Sequence, residues 1–301
     1  MTRLGMHWNR FWYAPVSARS LGMMRFTLGI VLIASLVDRL PVLNELYAID
    51  GPIPPAAAAA SLPWPRISPM DWLSSAWQIQ LFIGAGMLVL LAFTVGWRSR
   101  LMALLSLAFQ VFIYARDPFD EHGGHRVMRL ATLYMTLVPC GAAISLDSWL
   151  AQRRGQPLLE CVPNLVQRMV QVQLVVIYMH SGWEKFQGSA WREGDALYYA
   201  LSNAQYQRWP SALDALVSNP AGQLFCTFGT WTTLGWECLF GFLVLYRPTR
   251  TLALITGVLL HIGIGLTLGV GTFTWIMLWC YQAWIPKDWW SASQQTPTPN
   301  D

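Results

Sequence analysis

A lysine at the end of a hydrophobic stretch is the first residue whose chemistry needs an explanation. Lys185 follows Glu184 at the end of the apolar run 163–184, in a chain of which only 12% is charged. An ionisable side chain in such surroundings needs a partner or a function. A lysine that is desolvated can lose its proton and act as a general base. The alternative is an anchor, in which Lys185 extends its charged end to the membrane interface.

A carboxylate lies within a second apolar run. Glu237 is near the middle of the run 223–246, where a carboxylate is expected to be protonated, paired or exposed to a wet cavity. Arg25 and Arg129, near the ends of other runs, are candidate structural partners for such an acid. Glu237 is therefore a second candidate site residue, and the sequence leaves its partner open.

Two histidines and two carboxylates come together at residues 120–126 (Asp-Glu-His-Gly-Gly-His-Arg). This spacing allows three interpretations: a metal site, a plain interfacial loop, or a hydrogen-bonding His125 that relays protons toward Lys185. The glycines between His122 and His125 predict that the helix begins no earlier than Arg126. Two further ligands for a metal would have to come from elsewhere in the chain.

The elements that must position these residues are hydrophobic helices. The chain is 54% hydrophobic with 17 tryptophans and a mean hydropathy of +0.36, which is more apolar sequence than one soluble core could bury. Its five cysteines have no CxxC pattern and fit small buried residues better than disulfides. We predict an all-α integral membrane protein with one domain, 1–290, and a disordered polar tail, 291–301. About eight transmembrane helices are expected, the third and eighth of them short, at 21–38, 75–94, 101–115, 126–145, 163–184, 223–246, 251–269 and 272–286.

The distribution of charge predicts the orientation. A net charge of +4 spread over short loops argues against nucleic acid binding. Most arginines fall on one side if both termini are cytoplasmic, as the positive-inside rule requires. Lys185 would then lie on the outer face, in a cavity that opens outward and is formed around helices four to eight. The outer segment 39–74 is expected to be an irregular loop with one short surface helix, and 185–222 a partly interfacial amphipathic segment.

Several motifs resemble a known family of membrane proteins. They are residues 25–29 (Arg-Phe-Thr-Leu-Gly), 50–54 (Asp-Gly-Pro-Ile-Pro), 96–100 (Gly-Trp-Arg-Ser-Arg), 145–147 (Ser-Leu-Asp) and 182–185 (Gly-Trp-Glu-Lys), the last followed by Trp191, Gly194 and Leu197. The chain resembles the bacterial horizontally transferred transmembrane domain (HTTM) family, which is related to the membrane part of vitamin K-dependent gamma-carboxylase. The similarity extends over nearly the whole chain.

The resemblance implies particular roles for particular residues. Lys185 occupies the position of the carboxylase's catalytic lysine, and His125 falls close to one of its functional histidines. His261 resembles a carboxylase segment near the C-terminal membrane helices, and with Trp191 and Arg25 it is expected to contact a bound ligand. A chain of 301 residues has no room for the large lumenal domain of the carboxylase, which argues against carboxylation of protein glutamates.

Three functions remain open at this point. The first is a bacterial inner-membrane enzyme with Lys185 as base, His125 assisting and Glu237 in the site, acting on a quinone-like or lipid ligand or on an exported peptide. The second is a non-catalytic accessory factor in the maturation, export or immunity of a secreted peptide. A transporter is the third, with less support because no inverted repeat is visible. Membrane lipids are expected partners in each case.

Overall fold

The computed structural model describes residues 2–47, 52, 54–61, 68–73 and 75–286, and this part of the chain is almost entirely helical. It forms two compact units, one of residues 1–169 together with the segment from Gln282 onward, and one of Val170–Tyr281. The predicted disordered tail, 291–301, lies outside the described residues. The prediction of an all-α chain is confirmed.

The first unit is built on four helices that pack in sequence order. Helix α2 packs on α5, α5 on α6, and α6 on α7. Met24 and Leu28 of α2, Phe93 of α5 and Met128 of α7 are buried in its core. The elements are α1 (Arg3–Tyr13), β1 (Pro15–Ser17), α2 (Ala18–Arg39), α3 (Leu43–Tyr47), α4 (Pro55–Ala60), α5 (Ala76–Val95), α6 (Ser99–Arg116), α7 (Gly123–Thr136), α8 (Leu146–Arg153) and β2 (Cys161–Pro163), with 3-10 turns at Leu40–Val42 and Pro69–Trp72.

Two of the motifs that carry the resemblance, residues 96–100 and 145–147, are hydrogen-bonded to each other in the first unit. The Asp147 carboxylate accepts hydrogen bonds from the backbone N–H of Arg98 and of Ser99, at 2.7 and 2.8 Å, and from the Ser99 hydroxyl at 2.7 Å. A carboxylate at these positions satisfies the free N–H groups at the start of α6. In return the backbone N–H of Asp147 donates to the carbonyl of Gly96. Residues 96–100 and 145–147 therefore fix how α5 turns into α6.

The second unit is arranged around one long helix, α13. Helices α11 and α12 pack on α13 around buried Leu201, Leu213, Val217 and Cys226, and α14 packs against it as the next element of the chain. Helix α9 (Leu165–Gln187) crosses from the first unit into the second after Met169. The other elements are α10 (Ser189–Glu193), α11 (Ala196–Ser202), α12 (Pro210–Ser218), α13 (Pro220–Leu245), α14 (Arg247–Thr267) and α15 (Phe273–Cys280), followed by a 3-10 turn at Tyr281–Trp284.

Four helical stretches among the described residues are long and apolar enough to cross a membrane, namely Ala18–Val42, Ala76–Val95, Pro220–Leu245 and Arg247–Thr267. Each of the eight predicted runs does contain a helix. Helix α7, however, has 14 residues and α15 has eight, so they rise about 21 and 12 Å, against a hydrocarbon core of about 30 Å. The count of eight spans and the orientation of the termini stay predictions.

Two local predictions are corrected or refined by the structure. The prediction that the helix begins no earlier than Arg126 is wrong, because α7 begins at Gly123 and includes His125. The outer segment 39–74 contains two short helices, α3 and α4, among its described residues, where one was expected. All five cysteines are free, and only Cys161 is exposed, which agrees with the expectation of small, mostly buried residues.

Candidate functional site

The Lys185 ammonium makes an ion pair with Glu237. Its Nζ donates to both carboxylate oxygens of Glu237, at 2.5 and 2.6 Å. The Glu237 side chain is only 6% exposed, whereas that of Lys185 is 25% exposed. Glu184, the neighbour of Lys185 in sequence, is exposed. The two ionisable residues that the sequence singles out separately are therefore each other's partner.

Small residues on α9 and α13 allow the pair to form. A Cβ at Gly182 would lie 2.6 Å from the backbone nitrogen of Cys238, and one at Gly241 would lie 2.5 Å from the sulfur of Met179. Glycines at a helix crossing let the two backbones approach closely. Lys185 follows Gly182 by three residues, on the same face of α9. The close approach at Gly182 therefore brings the Lys185 side chain within hydrogen-bonding distance of Glu237.

An aromatic ring covers the other side of the lysine. The Nζ of Lys185 lies 4.9 Å from the centre of the Trp191 ring, within the range of a cation–π contact. Trp191 is on the short helix α10, and the chain after it is tied to α13. There the backbone N–H of Leu197 donates to the hydroxyl of Thr230 at 2.9 Å, and the Trp231 indole N–H donates to the carbonyl of Arg192 at 3.1 Å.

A second polar network lies on the same face of α9. The Tyr178 hydroxyl hydrogen-bonds to Nε2 of His261 at 2.7 Å and to the hydroxyl of Tyr281 at 2.8 Å, and all three side chains are buried. Tyr178 precedes Lys185 by seven residues, which is two helical turns or about 10 Å along the axis. Nδ1 of His261 is buried and makes no hydrogen bond within the described part of the chain. A ligand oxygen would satisfy that atom.

The first unit has its own cluster of charged and aromatic side chains, centred on Arg39. The guanidinium is ion-paired with Asp120, lies 3.3 Å from the hydroxyl of Tyr47, and reaches Nε2 of His125 at 3.5 Å. The rings of His122 and His125 are in contact, with their centres 3.7 Å apart and their planes tilted by 31°. His125 is buried, and its Nδ1 makes no hydrogen bond within the described residues.

Three groups in the loop between α6 and α7 have shifted pKa values. Burial raises the pKa of the Asp117 carboxyl, against the opposing charge of Arg39. Burial lowers the pKa of His122, which favours its neutral form. Burial acts to raise the pKa of Glu121, but Arg129 and Arg126 outweigh it and hold that pKa below its ordinary value. Arg39, Arg126 and Arg129 therefore interact with carboxylates of this same loop.

The predicted site residues divide between the two units. Lys185, Glu237, Trp191 and His261 belong to the second unit, where the first three are in contact. His125 and Arg25 belong to the first unit. The partner of Glu237, which the sequence leaves open, is Lys185 and neither of the candidate arginines.

The two arginines considered for Glu237 have other partners. Arg129 pairs with Glu121. Arg25 is fully buried in α2 and donates to the backbone carbonyl of Ile144, which makes it a link within the first unit. A ligand contact at Arg25 stays a prediction, as do the ligand contacts expected at Trp191 and His261.

Sequence reasoning missed Tyr178 and Tyr281. The spacing of seven residues between Tyr178 and Lys185 was the available signal, since it puts both on one face of α9. No group of three or more His, Cys, Asp or Glu side chains that could hold a metal occurs among the described residues.

A small cavity lies in the first unit between α2, α5, α6 and α7. It measures about 20 Å³, which is room for about one water molecule. Its lining includes Arg39, Gln110 and Tyr114. This is not the outward-opening cavity expected around helices four to eight, and that cavity stays a prediction.

Comparison with known proteins gives one match. No curated protein and no solved structure matches the chain. The family model of the HTTM domain matches residues 13–289, which is most of the 301 residues. This match confirms the resemblance drawn from the motifs and identifies a membrane protein related to the gamma-carboxylase domain. The chain therefore belongs to the HTTM domain family.

Proposed function

We propose that this HTTM protein is a membrane enzyme in which Lys185 is a general base and Glu237 is the group that exchanges a proton with it. The supporting observation is the ion pair between them, buried on the glutamate side and covered by Trp191. Transfer of one proton from the ammonium to the carboxylate converts the ion pair into a neutral amine and a carboxylic acid. The neutral amine can then accept a proton from a substrate and become an ammonium again.

The surroundings of the pair suit this exchange. Two opposite charges in a low-dielectric site stabilise each other but lose the solvation that water gives them. The free energy of the neutral amine and carboxylic acid is therefore closer to that of the ion pair than it would be in water. Lys185 keeps partial exposure, which gives a substrate access to its amine. Glu237 is almost fully buried and contacts Lys185 through both of its carboxylate oxygens.

The substrate class that fits best is an acidic C–H or O–H on a lipid-soluble or quinone-like molecule, or on an exported peptide. The buried Nδ1 of His261, whose partner Tyr178 lies about two turns of α9 from Lys185, would bind an oxygen of such a ligand. Tyr178 and Tyr281 would hold the imidazole in place through the other ring nitrogen. We place the protein in the bacterial inner membrane with this site facing outward, because the basic loops fall on the opposite side.

A second candidate is an accessory role without catalysis, in the maturation, export or immunity of a secreted peptide. It is favoured by one observation: Lys185 has both a bidentate partner and an aromatic cover, which is what a structural cross-link between α9 and α13 requires. In that case the pair would serve only to stabilise the fold.

The substitution Lys185→Arg separates the two candidates. Arginine pairs with a carboxylate as well as lysine does, but it does not release its proton under any accessible condition. We expect Lys185→Arg to be present in membranes at the wild-type level and to fail to complement a deletion of the gene. The chain has one other lysine, Lys287, and Lys287→Arg is the matched control, which should complement fully. Full complementation by Lys185→Arg would refute the base and favour the accessory role.

A further inference from the structure

The N-terminal helix α1 has an apolar face that is largely exposed in the described part of the chain. Leu4, Trp8, Phe11 and Trp12 follow one another at the spacing of a single helix face, and none of the residues of α1 is buried. Leu4 is 80% exposed, Trp8 61% and Phe11 41%. A helix of 11 residues is only marginally stable in water, so this one needs a surface to lie on.

The position of α1 places it next to a membrane boundary. The membrane-crossing stretch Ala18–Val42 begins only four residues after α1 ends. The intervening strand β1 pairs antiparallel with β2, which fixes the connection. Arg168, near the start of α9, donates to the carbonyl of Phe11 at 3.3 Å and covers the Phe11 ring at 4.7 Å. The C-terminal end of α1 is therefore held where α2 and α9 begin.

The charges of α1 fit an anionic surface. Arg3 and Arg10 lie on the face opposite Leu4 and Trp8, and Arg19 is exposed just after β1. No acidic residue occurs in the first 37 positions of the sequence. A basic face opposite a face of leucine and tryptophan is the pattern of helices that lie in the plane of a membrane interface.

We propose that α1 binds flat on the membrane leaflet at which α2 begins, with Leu4, Trp8 and Phe11 at the acyl boundary and Arg3 and Arg10 on anionic phospholipid headgroups. The interaction is independent of the Lys185 site. It fixes the depth at which α2 enters the bilayer.

Hydrogen exchange of the α1 amides in the full-length protein tests this proposal. The protein would be reconstituted, one copy per disc, in nanodiscs of phosphatidylcholine alone and of equal parts phosphatidylcholine and phosphatidylglycerol. Each arginine near an anionic surface strengthens binding by about fivefold, so the wild-type amides should exchange about 20- to 30-fold more slowly in the phosphatidylglycerol discs. The double variant Arg3→Gln/Arg10→Gln should lose that difference.

Two further variants make the test specific. Arg153→Gln/Arg154→Gln removes the same charge from the exposed end of α8 and should behave as wild type. Leu4→Asn/Trp8→Asn should leave the α1 amides unprotected in both lipids. If the wild-type α1 amides exchange at equal rates in the two lipids, the proposed binding of Arg3 and Arg10 to anionic headgroups is wrong. Protection that appears only with two copies per disc would show that a second copy of the chain covers the face instead.

Discussion

Exchanging the two charges of the Lys185–Glu237 pair tests whether the pair holds α9 and α13 together. The single variant Glu237→Lys puts two ammonium groups where the structure has an Nζ–Oε1 distance of 2.5 Å. Like charges that relax to about 4 Å apart repel by about 4 kcal/mol at an effective dielectric constant of about 20. Because Lys185 can move toward water, we expect a net loss of about 3–5 kcal/mol in the free energy of unfolding, as when a buried pair loses one partner.

The double variant Lys185→Glu/Glu237→Lys restores opposite charges and should recover about 2–3 kcal/mol of that loss, the size of coupling seen between residues in contact. The free energy of unfolding would be measured by titrating the purified protein with a denaturing detergent. Glu184→Lys, which adds the same charge at the exposed neighbouring position, is the control and should change stability by less than about 0.5 kcal/mol. If the effects of Glu237→Lys alone and of Lys185→Glu alone simply add in the double variant, the pair does not stabilise the fold. The double variant should remain inactive in any case if Lys185 is the base.

Three other predictions concern the helix crossing, the outer loop and the orientation. Gly182→Val should destabilise the protein by about 1–3 kcal/mol, since its Cβ would meet the backbone of α13, whereas Gly235→Ala, with open space around it, should not; thermal unfolding of both variants checks this. Arginine partners lower the folded pKa of Glu121 below 4.5, so its stabilisation exists above that value and disappears as the pH falls through the lowered pKa. Glu121→Gln should therefore cost about 1 kcal/mol at neutral pH and little in acid, measured by unfolding at both pH values. Reporter fusions after Arg154 should be cytoplasmic and fusions after Gln205 should be outside, and a cytoplasmic result at the second position would overturn the outward-facing site.

Hydropathy predicted the positions of the long helices correctly but predicted their lengths less accurately. The apolar run 126–145 became a helix that ends at Thr136, and Pro139 and Gly141 in the turn that follows were visible in the sequence. A window of apolar residues measures how much can be buried, but it does not record where the backbone leaves the helix. Counting such windows therefore gives the number of apolar helices and not the length of each.

The start of α7 shows how a cap can override helix propensity. Two glycines disfavour a helix by about 1 kcal/mol each. His122 offsets part of that cost because its Nδ1 accepts a hydrogen bond from the backbone N–H of Gly124 at 3.0 Å, as an N-cap residue does. Helix propensity predicts a loop at His125. The N-cap hydrogen bond of His122 favours a helix there instead, and histidine is not one of the usual N-cap residues Ser, Thr, Asp and Asn.

The Lys185–Glu237 pair illustrates where sequence reasoning stops. The sequence identified both residues, because each is an ionisable group in an apolar helix and each needed a partner. It could not join them, since they are 52 positions apart and Arg25 and Arg129 were also candidate partners for the glutamate. The close approach of the two backbones at Gly182 determines that Lys185 is the partner of Glu237. This approach depends on tertiary packing, which the pattern of charges in the sequence does not reveal. A small residue one turn from a charged residue in an apolar helix is thus the local signal that would have favoured Lys185. The same geometry explains why the pair can stabilise the fold and still leave the amine accessible, because the glutamate is deep in the crossing and the lysine is at its edge.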